Sequence, residues 1–374
     1  MARAVAKWMS AVVVSTEVPP SRQGRCRRVH RARGGAAPPA DPGRLLRDVP
    51  GAARWPCPWV RVAVARSGRT VDSEAMAAKP PGGVMREVVG VDGSEVALAA
   101  VRWAAADAAL HRTTLRLVCA APRTPGELGP EATRQGTSMV TDERLRWLSK
   151  AASTAAVAAA DLDIEQEVRE GDPGAVLLEE SEHARRLVVG TRGLGEFTGV
   201  QLALGSTAEL VAMRARCPVV VVPEAVDLEG TAQRPVIVGV DGSRVGEPAV
   251  AVAFAEASDR RVPLVAVHVW SDVAVDEWFT DDSRDWESIS QAEERVLAER
   301  LAGWQERYPE VPVRRVVARD RPVRYLVEHG AEGQLIVVGS RGRGSMTGMM
   351  LGSTSRALLH CAPCPLMVVR GSED

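Results

Sequence analysis

No apolar run in these 374 residues approaches the roughly 18 that a membrane span requires, so nothing reads as a bilayer helix. Cysteine is scarce: six, at positions 26, 57, 119, 217, 361 and 364, with no regular framework. A chain this long buries enough surface to do without disulfide staples, which predicts a reducing, cytoplasmic setting. No Gly-Lys-Ser/Thr string has the spacing of a Walker loop, and no Ser, His and Asp set repeats in register along the chain. Net charge is nearly absent, at −1, but that balance hides an asymmetry. Residues 1–84 hold 15 Lys and Arg against 5 Asp and Glu, a net of +10, which leaves −11 on the remainder. An acidic globular part argues against broad binding to nucleic acid or anionic lipid.

What is present begins with that basic segment. Residues 18–83 are rich in Arg, Ala, Pro and Gly and show neither strand nor helix periodicity, so 1–84 is expected to be disordered. Three accounts of it stand open. It is dispensable or untranslated, with the natural start at Met76 or Met85; it is a disordered tail; or it is a basic arm or targeting peptide with a specific role.

The rest is one unit written twice. VVGVDGS at 88–94 returns as VIVGVDGS at 236–243, which sets Asp92 and Asp241 149 residues apart. Gly190 and Gly339 keep that offset, as do Gly193 and Gly342; Gly205 and Gly352 are 147 apart, as are Cys217 and Cys364. The first copy therefore carries two extra residues between Gly193 and Gly205. Period searches of this kind identify repeated folding units, here 85–223 and 235–370 with a polar, turn-rich linker at 224–234. In the second copy strand-like runs at 236–240, 264–270, 312–318, 335–339 and 366–369 alternate with helical stretches at 247–260, 286–308, 323–332 and 353–360. Continuous Val, Ile and Leu runs between helices predict buried parallel strands. The expected fold class is α/β: two tandem doubly wound domains, each with a five-stranded parallel sheet of flavodoxin-like or adenine nucleotide hydrolase-like type.

In an open parallel sheet, ligands bind beyond the C-terminal strand ends where the strand order reverses. Asp92 and Asp241 lie just past the first strand of each unit, and the glycine loops just past the fourth. If those strands are neighbours, each Asp faces its own loop across one pocket per unit. Glycine lets backbone N–H groups approach an anion closely, and Gly352-Ser353 opens a helix whose first N–H groups lack partners. Phosphate suits such a cradle, Arg341 adds charge, and Asp241 suits ribose hydroxyls. Against this stands plain turn chemistry, in which the loops hold nothing. Because the glycines follow the fourth strand, the Rossmann fingerprint does not apply.

The spacing Gly339-x2-Gly342-x9-Gly352-Ser353, together with the opening VGVDGS, resembles the universal stress protein family, in particular its tandem-domain actinobacterial members. The likeness covers about residues 86–370. It implies ATP as ligand, with or without Mg²⁺, a role as stress-response sensor or regulator rather than enzyme, and a pseudo-two-fold pairing of the halves through their last strands, Val219–Val222 against Leu366–Val369. Two such chains would form a homodimer, and a regulatory protein partner is left unidentified. The resemblance assigns Asp241, Val269, Gly339, Gly342, Gly352 and Ser353 to the second pocket, and Asp92, Ala120, Gly190, Gly193, Gly205 and Ser206 to the first. In the first copy the last spacing is x11, which would misplace the helix start by several ångströms. The alternative is an interaction module of the same fold without nucleotide; a third reading is an adenine nucleotide hydrolase-like enzyme, for which no reactive site is visible.

Other groups read as structural. Cys361-Ala-Pro-Cys364 has redox spacing, but Arg214 stands at the position of Cys361 in the first copy, and no second pair completes a zinc tetrad. His268 reads as a core or site-lining residue. His111, His183, His329 and His360 read as helix-end residues favoured by the dipole. Asp172-Pro173 reads as an N-cap and first-turn proline, with Asp320 as its counterpart, and the acidic run 276–287 as a solvated face.

Overall fold

The computed structural model describes residues 61–65, 86–122, 130–193, 204–224, 226–270, 283–319, 321–343 and 351–371. The chain divides into two compact units, Met1–Pro56 and Cys57–Asp374, and the described residues all belong to the second. After β1 (Arg61–Ala65), the first half runs β2 (Arg86–Gly90), α1 (Glu95–His111), β3 (Thr114–Ala121), α2 (Pro130–Ala158), β4 (Ile164–Glu170), α3 (Pro173–Ser181), β5 (Ala184–Gly190), α4 (Ser206–Arg214) and β6 (Val219–Val222). A short α5 (Leu228–Thr231) leads into β7 (Val236–Gly239), α6 (Glu247–Arg260), β8 (Leu264–Trp270), α7 (Ser283–Arg307), β9 (Val313–Arg319), α8 (Pro322–Gly330), β10 (Leu335–Gly339), α9 (Ser353–Cys361) and β11 (Leu366–Val369).

Local chemistry sets the boundaries. Ser94 caps α1 by accepting a hydrogen bond from the Ala97 N–H at 3.1 Å, and Asp172 caps α3 through the Ala175 N–H at 3.0 Å, with Pro173 in the first turn. Both first helices end on an arginine in the left-handed region, Arg112 (φ 54°) and Arg261 (φ 55°), so the duplication extends to backbone detail. The α8 cap position is Arg321, which makes no side-chain cap bond; Asp320 lies outside the described residues.

The strands form one sheet in the order β1-β4-β3-β2-β5-β6-β11-β10-β7-β8-β9. Within each half the five repeated strands therefore run 3-2-1-4-5, which makes the first and fourth neighbours: Val89 pairs with Val188, and Val238 with Val337. Flavodoxin's order, 2-1-3-4-5, would separate them. The strand count also differs from expectation. β1 adds a parallel edge strand beside β4, within a segment predicted to be unstructured, and the two five-stranded sheets are continuous. The seam is the one antiparallel pairing among the described residues, β6 on β11, with Val220 opposite Met367, as the family resemblance implied. All eight seam residues are buried. Each such side chain stabilises the fold by about 1.5–3 kcal/mol at most.

One core fills the face under α1, α2, α6 and α7, including Leu117, Leu148, Phe254 and Leu297; a second fills the opposite face, with Leu187, Val211, Ile336 and Leu358. Where α1 and α6 meet across the pseudo-two-fold, the core is ionic. Arg186 is only 3% exposed and reaches Asp107 at 2.9 Å, Glu87 at 3.2 Å and Glu256 of the other half at 2.5 Å. Arg260 bonds Asp107 and, at 3.1 Å, Glu256. His111 stands 3.6 Å from Asp107, 3.7 Å from Glu256 and 3.3 Å from Asp259. It is thus part of a buried inter-half network, a role the helix dipole alone does not describe.

Burial opposes charge on Asp107 and Glu256, but Arg186, His111 and Arg260 outweigh it and hold both carboxyls low. Burial also works against charge on His111, yet its hydrogen bonds to Asp107 and Glu256 raise it overall. Glu87 is pushed well up, first by burial and then by Asp107. Ligand atoms of Asp107, His111 and Glu256 come within 4.8 Å of one another. Three guanidiniums, those of Arg186, Arg260 and Arg185 (3.6 Å from Asp107), already supply the positive charge there, which leaves no electrostatic place for a divalent cation.

Candidate functional site

Because β2 neighbours β5, the loop after one faces the loop after the other. Asp92 Oδ1 accepts from the Ser94 N–H (3.0 Å) and hydroxyl (2.7 Å), and Asp241 Oδ1 accepts from the Ser243 N–H (2.9 Å) and hydroxyl (2.8 Å). These turns aim the second carboxylate oxygen at the glycine loop. A Cβ on Gly193 would lie 2.4 Å from Asp92 Oδ2, and one on Gly342 would lie 2.6 Å from Asp241 Oδ2. Only glycine permits that approach. In the second half the loop also bonds the carboxylate directly, through the Arg343 N–H to Asp241 Oδ2 at 2.6 Å.

Each glycine loop is closed at its base by one hydrogen bond: Gly205 N–H to Thr191 O, and Gly352 N–H to Ser340 O, both 2.7 Å. The two-residue insertion therefore does not displace the start of α4, contrary to expectation. The extra length is taken up within 194–203, outside the described residues, as is 344–350 of the second loop. Gly205 and Gly352 occupy the N-cap positions of α4 and α9 in extended conformation, with no side-chain cap bond. Neither cap position adds a side-chain bond to the first turn, and the positive end of each helix dipole lies at the cavity that Ser206 and Ser353 line.

Each half encloses a cavity of about 350 Å³ between these parts. Asp92, Ala120, Gly190, Gly193, Gly205 and Ser206 all line the first. Asp241, Val269, Gly339, Arg341, Gly342, Gly352 and Ser353 all line the second. The structure thus brings every predicted site residue to its own half's cavity. Apolar walls come from Leu177 and Val189 in one and from Leu326 and Val338 in the other.

Sequence reasoning missed several lining residues. Pro173 and Pro322 stand at the 149-residue offset and both line their cavities; the repeat itself was the signal. Arg144 and Trp147 of α2 line only the first. Their counterparts, Glu293 and Val296, share no chemistry with them, so no repeat marked them. His268 is buried, as expected, with Nδ1 2.6 Å from Val240 O and Nε2 2.8 Å from Glu293; Cys119 takes its place in the first half. Cys217 and Cys364 are buried, and burial pushes both thiols up to about 12, far from a reactive thiolate. Side chains of the acidic run up to residue 286 lie outside those described.

The universal stress protein family model matches residues 85–223 and again 233–370. The chain belongs to the universal stress protein family. It is 42% identical over 297 residues to "Universal stress protein Rv2623" of Mycobacterium tuberculosis H37Rv, covering 76% of this chain and 96% of that one. It is 40% identical over 287 residues to a universal stress protein of Mycolicibacterium smegmatis, covering 76% and 96%. The crystal structure of a universal stress protein from Archaeoglobus fulgidus superposes with TM-score 0.53 at 20% identity over 76% of this chain and 98% of that one, a likeness of fold. Among the described residues no helix is long and apolar enough to cross a membrane.

Proposed function

We propose that this universal stress protein binds an adenine nucleotide in each half and acts as a cytoplasmic stress-response sensor or regulator rather than an enzyme. One observation carries the reading: in both halves an aspartate lies so close to a glycine that no side chain fits between them, and the pair borders a cavity whose far wall is an uncapped helix start. The residues fit the parts of ATP. Asp92 and Asp241 suit a ribose hydroxyl, Ala120 and Val269 border the base end, and the loop amides with Ser206 and Ser353 suit phosphates, alone or with Mg²⁺.

Catalysis finds less support. His268, the histidine nearest the second cavity, is held by Val240 and Glu293, and the carboxylates are held by Ser94 and Ser243. Among the described residues none stands ready as a general base.

Denaturing the purified protein and analysing what it releases by mass spectrometry, followed by calorimetric titration with ATP, tests the reading. Bound or titrating ATP at up to two sites per chain is the expected result. No adenine nucleotide at either site favours an interaction module, and rapid turnover to AMP favours a hydrolase.

A further inference from the structure

The two cavities repeat each other at the glycine loops but not where α2 contributes Arg144 and Trp147 to the first. In the first, the Trp147 indole packs directly on the turn after Asp92: a Cβ on Gly93 would fall 2.5 Å from ring atoms Cδ2 and Cε2, and the turn's positive φ of 88° keeps that position open. The indole carries the Arg144 guanidinium 3.9 Å from its ring centroid, a cation–π contact that fixes the charge in place. Arg144 Nε is buried and has no hydrogen-bond partner among the described residues. Its Nη1 reaches only the half-exposed Glu143, at 3.4 Å. Arg144 and Asp92 line the same cavity, and both bear on the thiol of Cys119, which burial pushes up to about 12 while Arg144 draws it down and Asp92 adds to the rise.

None of the described residues of α7 lines the second cavity. At the same offset stand Glu293 and Val296. Glu293 is engaged by His268 at 2.8 Å and by Arg343 Nη1 at 3.8 Å, so the nearby guanidinium comes from the glycine loop and is paired with a carboxylate.

Resting on the nucleotide reading above, we propose that the first pocket takes an adenine nucleotide bearing an additional phosphate on a ribose hydroxyl, and that Arg144 determines this preference. The chemistry divides the two sugar hydroxyls. One donates to Asp92, whose Oδ1 is already turned toward Ser94. The other carries the phosphate, which meets a guanidinium that presents several donors and lacks a buried carboxylate partner. Trp147 is a positioning residue: sandwiched between turn and guanidinium, it orients Arg144.

The test is calorimetric titration of the full chain with AMP, adenosine 2′,5′-bisphosphate and adenosine 3′,5′-bisphosphate, ligands that differ only in the sugar phosphate. One bisphosphate should bind one site per chain at least tenfold more tightly than AMP. Arg144→Glu and the milder Arg144→Gln should both abolish that preference while leaving ATP binding at the second site. Trp147→Val should weaken it. Two bisphosphates that bind no more tightly than AMP, with ATP binding intact, overturn this proposal alone, as does a preference that survives both Arg144 variants. Failure of every adenine nucleotide to bind the wild-type chain overturns the underlying reading and this one with it.

Discussion

Gly342→Ala separates ligand binding from folding. The new methyl would sit 2.6 Å from Asp241 Oδ2 and 3.4 Å from its Cγ, so loop and carboxylate must part by about 1 Å to reach ordinary contact. The backbone at Gly342 lies outside the left-handed region, so alanine adds no torsional strain. Parting the two breaks the 2.6 Å bond from the Arg343 N–H to Asp241. A hydrogen bond to a charged group is worth about 1.5–3 kcal/mol, and the reduced freedom of the unfolded chain returns about 0.4–1 kcal/mol. Net destabilisation is therefore about 0.5–2.5 kcal/mol, small enough to leave a folded protein. For a ligand that needs loop and carboxylate together, losing that bond's about 1.5–3 kcal/mol is roughly tenfold to a hundredfold in Kd. Calorimetry should show the number of ATP sites falling from two to one. Gly352→Ala is the companion. Its Cβ meets nothing closer than 3.6 Å, so the free protein should melt as wild type, and any affinity loss reports phosphate against that backbone. Wild-type ATP affinity and stoichiometry in Gly342→Ala would refute the reasoning.

Three further outcomes follow from the framework around the sites. Arg186→Leu leaves Glu87, Asp107 and Glu256 short of a buried partner and should cost about 3–5 kcal/mol in urea unfolding; the double change with Glu87→Val, which copies Val236 and Leu335 of the second half, should cost less than Arg186→Leu alone. His111 has its folded pKa raised above the ordinary histidine value of about 6.5, so its contribution is full below about pH 6.5 and is lost as pH rises through the folded value; melting temperature should fall on that alkaline side, and His111→Gln should flatten the fall. Asp172→Ala removes the α3 cap and should cost about 1 kcal/mol by denaturant unfolding, with no change in ATP stoichiometry.

Much of this was legible in the residues because a tandem repeat supplies its own comparison. Two copies of VGVDGS and two glycine loops at a fixed offset located both carboxylates and both cradles. Pro173 and Pro322 carried the same signal, yet Pro173 reads only as a helix start and Pro322 is not marked at all. Arg144 and Trp147 had no such mark: they lie some 50 residues from Asp92, and the second copy replaces both.

The chain alone determined the alternation of strands and helices, the duplication and its register, and the placing of glycine where backbone must approach a carboxylate, because these follow from local periodicity and from the missing Cβ. Tertiary structure alone decided the rest. It set β2 beside β5 in the order 3-2-1-4-5 and kept the start of α4 in place despite the two-residue insertion. It also gathered Glu87, Asp107, Arg186, Glu256 and Arg260 into one buried network. The physical reason is that a charged side chain reads as surface in any single sequence window, and only packing across the pseudo-two-fold supplies the counter-charges that let it be buried.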